Sequence, residues 1–186
     1  MGLNEDVGRR LRTLRQDMDV SLSELARRSG VGKGTLSELE SGRRNPTLET
    51  LYALATALGR PLSAVLSDPP PGGAPARNGS EVSGSAVTAV LLERYEDGEA
   101  VTDVFRVTIR AGAVQDSEAH VPGTSESLMV LAGAAVVGPP GRPYTVGPGE
   151  SARWRADEPH VYGAPDGEVH GVLFVRCPLV GETDGR

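Results

Sequence analysis

Aromatic side chains are scarce in this chain, at 4% of its 186 residues. The cores must therefore be built from leucine, valine and alanine rather than from packed rings. Cysteine is almost absent too, and the single Cys177 allows neither an internal disulfide nor a cysteine metal cluster. We expect Cys177 to be a small buried apolar residue.

Long apolar runs are missing as well, whereas a membrane helix needs about 20 consecutive apolar residues. The N-terminus carries acidic residues where a signal peptide has basic ones, and no apolar stretch follows them. The sequence therefore predicts a cytoplasmic protein without a membrane partner.

Charge is divided unevenly along the chain, whose net charge is −6. Residues 1–66 hold ten basic and eight acidic side chains, which gives +2, whereas residues 67–186 carry −8. The first segment can therefore approach phosphate groups while the acidic remainder stays in solvent.

Helical periodicity dominates the first third of the chain. Apolar side chains recur at intervals of three and four residues from Leu3 to Met18, which predicts one face of a helix. Ser21 and Glu24 form a capping box that begins a second helix, and Gly30 suits the left-handed residue that ends it.

Three further helices complete a predicted five-helix bundle over residues 1–67. The third covers about residues 32–41, the fourth is capped by Thr47, and a short fifth helix begins at Pro61. The third helix has buried leucines on one side and mostly small residues on the other, so its outer face can come close to another surface.

Short amphipathic helices joined by a glycine turn and followed by a basic loop are typical of a helix-turn-helix that places its second helix in a DNA groove. The residues predicted to contact DNA are Lys33, Gly34, Thr35, Ser37, Glu38, Arg43, Arg44 and Asn45. We expect the helical members to face the groove, with Gly34 permitting close approach, and the loop members to contact phosphates.

Residues 7–66 resemble the helix-turn-helix domain of phage-repressor-like regulators, the XRE family. The matching residues are Leu14-Arg15, Ser21, Glu24-Leu25-Ala26, Val31, Leu36-Ser37, Leu39-Glu40, Gly42, Pro46, Leu51 and Ala57-Leu58. In that family the arginine at the position of Arg15 pairs with the glutamate at the position of Glu40. Leu22 stands where many members carry a glutamine that contacts phosphate.

Residues 68–85 are rich in proline, glycine, alanine and serine, which predicts a linker. From Ala86 onward the period changes to that of strands, and Asp97-Gly98 between two β-branched runs predicts a hairpin. Further strand candidates are 127–132, 134–138, 143–146, 151–156, 160–162 and 169–177. Residues 86–180 are therefore predicted to form an antiparallel barrel or sandwich, with a frayed tail after about residue 180.

The segments around His120 and Glu126, and around His160, resemble the two sequence motifs of the cupin family, a double-sheet β-barrel. The resemblance covers about residues 86–178. In metal-binding cupins such motifs supply histidines and a glutamate that converge on one divalent ion, here Zn, Fe, Mn or Ni. Pro122 takes the place of a further histidine of the first motif.

The resemblance implies a metal site or a pocket for an organic ligand inside the barrel. The candidate metal ligands are His120, Glu126 and His160, and the candidate pocket residues are the same three with Trp154 and Tyr162. Two histidines and one carboxylate are a recognised donor set for divalent metals. Histidines without a binding role are the remaining alternative.

The combination of both domains resembles bacterial transcription regulators in which the barrel senses a small-molecule effector and dimerises. We expect a homodimer that binds a double-stranded DNA operator and is not an enzyme. One alternative is an iron-dependent epoxidase-like enzyme with an accessory helix-turn-helix domain, against which Pro122 counts. Another is an antitoxin or constitutive DNA-binding factor whose barrel is purely structural.

Overall fold

A computed structural model describes residues 3–66 and 81–179 of the chain. The first part contains the helices α1 (Leu3–Asp17), α2 (Leu22–Ser29), α3 (Lys33–Glu40) and α4 (Leu48–Ala57), followed by a 3₁₀ turn at Leu62–Ala64. Within the described ranges, no helix is both long and apolar enough to cross a membrane.

The predicted fifth helix is wrong in type, because the chain after Pro61 makes only a 3₁₀ turn. Its amide groups bond carbonyl groups three residues back, as in the bond from Val65 N to Leu62 O at 3.1 Å. This single turn already buries Leu62, Val65 and Leu66, so further helical turns are not needed to cover them. The bundle in residues 3–66 therefore has four α-helices.

Capping residues determine where the short helices begin or end. Ser21 Oγ accepts a hydrogen bond from Glu24 N at 3.1 Å, and Thr47 Oγ1 accepts one from Thr50 N at 3.3 Å. Gly30 adopts a φ of 70° and ends α2 in the left-handed conformation. The local sequence thus determines where α2 and α4 begin and where α2 ends.

Residues 81–179 form ten strands, arranged as two antiparallel sheets. The strands are β1 (Glu81–Ser83), β2 (Val87–Glu96), β3 (Ala100–Ile109), β4 (Val114–Ser117), β5 (Ser125–Ala132), β6 (Ala135–Gly138), β7 (Tyr144–Val146), β8 (Ser151–Arg155), β9 (His160–Gly163) and β10 (Val169–Pro178). The larger sheet has the order β1-β2-β3-β10-β5-β8 and the smaller one β4-β9-β6-β7. This is the double-sheet arrangement expected of a cupin barrel.

Two strands differ from the prediction. β1 lies within the segment for which the sequence predicts a linker, and it pairs with β2 because Val82 is buried there. β4 was not predicted, because it exposes Val114 and buries the polar Gln115 instead of alternating apolar residues. The remainder of the predicted linker and the tail after residue 179 lie outside the described residues.

The bundle and the barrel share one continuous cluster of buried apolar residues. Polar contacts tie them together as well: Asp103 Oδ2 on β3 accepts a hydrogen bond from Ser63 N at 3.0 Å. Glu49 Oε1 on α4 accepts one from Ser85 N at 2.6 Å, just before β2 begins. The DNA-binding candidate and the barrel are therefore in direct contact along α4 and the 3₁₀ turn.

Candidate DNA-binding interface and barrel site

The outer face of α3 is accessible, as the sequence predicts. The exposed members of the predicted DNA-contacting set are Lys33, Gly34, Ser37, Glu38, Arg43, Arg44 and Asn45. Thr35 differs, because it is half-buried beside Leu36 in the helix. Seven of these eight residues are therefore exposed on α3 and the loop that follows it.

Gly34 leaves open space on this surface. A Cβ atom built at Gly34 meets no heavy atom of the described residues within 4 Å, apart from the neighbouring helix backbone. The glycine is thus not required by packing inside the protein, and its backbone is available to an external partner.

Glu38 is the one acidic residue among the candidates, and it is paired with the basic loop. Arg44 Nη1 lies 3.2 Å from Glu38 Oε2, with both side chains about half exposed. The pair reduces the repulsion that a free carboxylate would exert on phosphates, and it brings Arg44 of the loop into contact with α3.

Two features hold α3 in place. Arg15 on α1 makes a two-pronged contact with Glu40, with Nε–Oε1 and Nη2–Oε2 distances of 2.6 and 2.8 Å, as the family resemblance implies. Gly8 on α1 packs so closely that an added Cβ would overlap the Leu39 carbonyl oxygen. These contacts hold α3 against α1.

The three candidate ligands inside the barrel converge. Ligand atoms of His120, Glu126 and His160 all lie within 4.8 Å of one another, and all three residues are buried. His120 Nε2 is 3.1 Å from Glu126 Oε1, and His160 Nε2 is 3.3 Å from Glu126 Oε2. The sequence correctly places these side chains together although they come from separate segments.

His160 has the arrangement of a ligand held ready by its surroundings. Its Nδ1 lies 2.9 Å from the Glu158 carbonyl oxygen and donates a proton to it, which directs Nε2 toward Glu126. That Nε2 is buried and has no well-formed hydrogen bond within the described part of the chain. A buried, unsatisfied imidazole nitrogen facing a carboxylate fits a metal ligand.

Glu126 is ionised in this cluster. Burial alone would raise the pKa of Glu126, but the adjacent imidazoles of His120 and His160 outweigh this effect and hold the pKa well below its usual range. Tyr162, a predicted pocket residue, also donates its hydroxyl to Glu126. The other one, Trp154, is buried beside Tyr162 with ring centroids 5.8 Å apart.

Tyr52 was not among the predicted site residues. It lies on α4, and its ring stacks on the His120 ring with a centroid distance of 4.0 Å and an interplanar angle of 5°. One feature of the sequence indicates that Tyr52 has a separate role: it is the only aromatic residue before residue 67, and it lies off the leucine stripe of α4. Through this stack the helical bundle touches the barrel cluster.

An accessible small-faced helix, a basic loop and an attached barrel define a DNA-binding regulator with an XRE-type helix-turn-helix and a cupin domain. The model of the helix-turn-helix family HTH_3 matches residues 11–65. The HTH-type transcriptional regulator SutR of Escherichia coli (strain K12) is 31% identical over 152 residues, which cover 82% of this chain and 83% of SutR. The chain belongs to this family of helix-turn-helix transcriptional regulators.

One solved structure resembles the chain over nearly its whole length. A crystal structure of an HTH_3 family transcriptional regulator from Vibrio cholerae superposes on 95% of this chain and 98% of its own, with a TM-score of 0.77 and 23% identity. The two proteins therefore share a fold across both domains. A crystal structure of the Cupin_2 domain of an XRE family regulator from Enterobacter cloacae covers 48% of this chain and 95% of its own, with a TM-score of 0.43 and 24% identity.

Proposed function

We propose that this regulator binds a double-stranded DNA operator through α3 and the loop 43–45, and that its barrel senses a ligand. The observation that supports it most strongly is the accessible face of α3, which α1 fixes in place and which no other described segment covers. We divide the chain into a DNA-binding domain over 1–67, a linker over 68–85 and a sensor domain over 86–180. We propose a binding protein rather than an enzyme.

Readout of bases by α3 is modest in this proposal. Lys33, Ser37 and Glu38 are the side chains that can reach base edges, and the remaining contacts go to the phosphate backbone. A single domain with so few contacts binds weakly. We therefore propose a homodimer that places two α3 helices in successive major grooves, about 34 Å apart.

The barrel cluster is the proposed sensor site. His120, Glu126 and His160 would hold a divalent metal ion, or the same side chains would bind an organic ligand in the barrel. A bound metal would act there as a Lewis acid and as a fixed positive charge. A bound ion would replace the present contacts of Glu126. It would also act on Tyr52 through the His120 ring on which Tyr52 stacks.

The DNA proposal is tested by fluorescence anisotropy with DNA from upstream of the protein's own gene. Arg43→Ala or Arg44→Ala should weaken binding to all sequences about equally and reduce the salt slope by roughly one. Arg106→Ala, an exposed change on β3, is the matched control and should have no effect. Sequence-selective loss in the loop variants would contradict their assignment to phosphates.

The sensor proposal is tested by metal analysis and the same anisotropy assay. After chelation, added Zn, Fe, Mn or Ni should bind one per chain and change DNA affinity, and Glu126→Gln should abolish both effects. His170→Gln, outside the cluster and half-exposed, is the control. Metal uptake that persists in Glu126→Gln would contradict the assignment of the site.

A second candidate function is a metal-dependent oxygenase, which the donor set of two histidines and one carboxylate favours. Stoichiometric iron in the purified protein together with oxygen consumption would support it. Iron binding without any turnover would favour the sensor.

A further inference from the structure

A cavity of about 400 Å³ lies between the helical bundle and the barrel. We call it the interdomain cleft, and its walls are one face of α4, the end of α2 and barrel residues 115–120. Its volume falls within the range of small-ligand pockets, about 300–1,000 Å³. The predicted pocket lies inside the barrel, and the cleft meets it at His120, which belongs to both.

The cleft exists because α4 has two different faces. Its leucines, from Leu48 to Leu58, point into the bundle core. The opposite face, at the helical spacing of three and four residues, carries the short side chains Ala53, Thr56 and Ala57. These side chains are half-buried, because they are too short to fill the space to the barrel.

The walls of the cleft carry an excess of negative charge. Glu49 comes from α4, whereas Asp116 and Glu118 come from the barrel side and are exposed. Among the described residues that line the cleft, Arg28 is the only arginine or lysine, and its Nε already donates to Glu24 Oε1 at 2.7 Å. A concave surface with charge of one sign attracts ligands of the opposite sign.

The inner end of the cleft is aromatic. Tyr52 and His120, whose rings are stacked, both line it, and His120 continues to Glu126 at 3.1 Å. A ligand in the cleft would therefore touch α4 on one side and the buried cluster on the other.

We propose that the interdomain cleft binds a small organic cation, an amine with an aromatic or aliphatic body. The ammonium group lies near Glu49, Asp116 and Glu118, and the apolar body packs against Ala53 and the stacked rings. This inference rests on the proposed function and adds to the barrel cluster a second ligand site, in the cleft. Because the ligand contacts both α4 and the barrel, it fixes the orientation of the bundle and thereby changes DNA affinity.

The test compares phenethylamine with the neutral 2-phenylethanol by isothermal titration calorimetry on the full chain. The amine should bind at least about tenfold more tightly than the alcohol, because charge-assisted contacts are the stronger ones. Glu118→Gln should weaken amine binding about two- to fivefold, as expected for the loss of one exposed ion pair. Glu96→Gln, at an exposed position at the end of β2, is the matched control and should leave it unchanged.

Filling the cleft is the second arm of the test. Ala53→Leu should abolish binding of phenethylamine, and Thr56→Leu provides the same test one turn further along α4. At least one of these variants should unfold at the temperature of the parent, because both positions are half-buried and face the cavity. Thr13→Leu, exposed on α1, controls for an added leucine.

Three results would overturn the inference: equal binding of amine and alcohol, unchanged amine binding in a folded Ala53→Leu or Thr56→Leu variant, or no amine binding at all. DNA binding of the ligand-free parent is measured on the same samples. If DNA binding is retained without amine binding, only the cleft inference fails. If DNA binding is absent, the proposed function fails with it.

Discussion

Replacing Gly34 with alanine should raise the stability of α3 and lower its affinity for DNA. Because the two effects have opposite signs, they can be measured separately. The position is exposed, lies within α3 and has no described heavy atom within 4 Å of an added Cβ beyond the helix's own neighbouring backbone. Alanine should therefore stabilise the helix by about 0.5–1 kcal/mol. In a chain of this size that corresponds to a rise in Tm of about 1–4 °C.

The same methyl group would stand where DNA has to approach. Forcing an extra methyl into a close contact costs about 1–3 kcal/mol. At 1.4 kcal/mol for each factor of ten, that is a loss of roughly 5- to 150-fold in affinity. The assay is thermal unfolding together with anisotropy on one operator fragment, using Thr13→Ala as a control that adds helix propensity on α1.

Higher stability with weaker DNA binding is the expected result for Gly34→Ala. If the variant is more stable and binds DNA as tightly as the parent, α3 does not approach DNA through this face. If the stability of Gly34→Ala falls, the added methyl group meets other atoms, and Gly34 does not face open space.

Three further substitutions test how the fold is held together. Gly8→Ala should destabilise the bundle by about 1–3 kcal/mol in urea unfolding despite alanine's helix propensity, because the added Cβ overlaps the Leu39 carbonyl oxygen. Unchanged stability would contradict the close contact with α3. Glu40→Gln should cost about 2–3 kcal/mol by leaving the half-buried Arg15 without its carboxylate, and a loss under 0.5 kcal/mol would contradict this. Asp103→Asn tests the pH dependence of stability. Burial raises the pKa of Asp103 above its value in the unfolded chain, so the folded state binds more protons. The contribution of Asp103 to the free energy of unfolding therefore falls as pH rises from about 4. The variant should therefore gain stability relative to the parent as pH rises from about 4 to 7, and a constant difference would contradict the raised pKa.

Local signals predicted the helical part of the fold well. Ser21 and Thr47 begin helices by accepting a bond from the amide three residues further on, and Gly30 ends one through its own left-handed conformation, so the local sequence is sufficient. The 3₁₀ turn after Pro61 was predicted as a helix because a single turn and a short helix share the same apolar spacing.

Contacts between distant segments were harder to predict. The family motifs brought His120, Glu126 and His160 together, but nothing local places Tyr52 against His120. That contact depends on how α4 docks on the barrel, which is determined by packing across the whole interface. The sequence does not predict β4 either, because its buried residue, Gln115, is polar. Gln115 accepts hydrogen bonds from the amides of residues 86 and 87, which are distant in the sequence.

The most direct test of the account is selection of genomic DNA fragments with the purified full chain, followed by anisotropy at a stated salt concentration. We expect enrichment of a sequence with two related half-sites whose centres lie about 10 base pairs apart, or a multiple of that. Binding to it should be at least about 10³-fold tighter than to unrelated DNA. Recovery of no common sequence, with equal affinity for all fragments, would contradict the central claim.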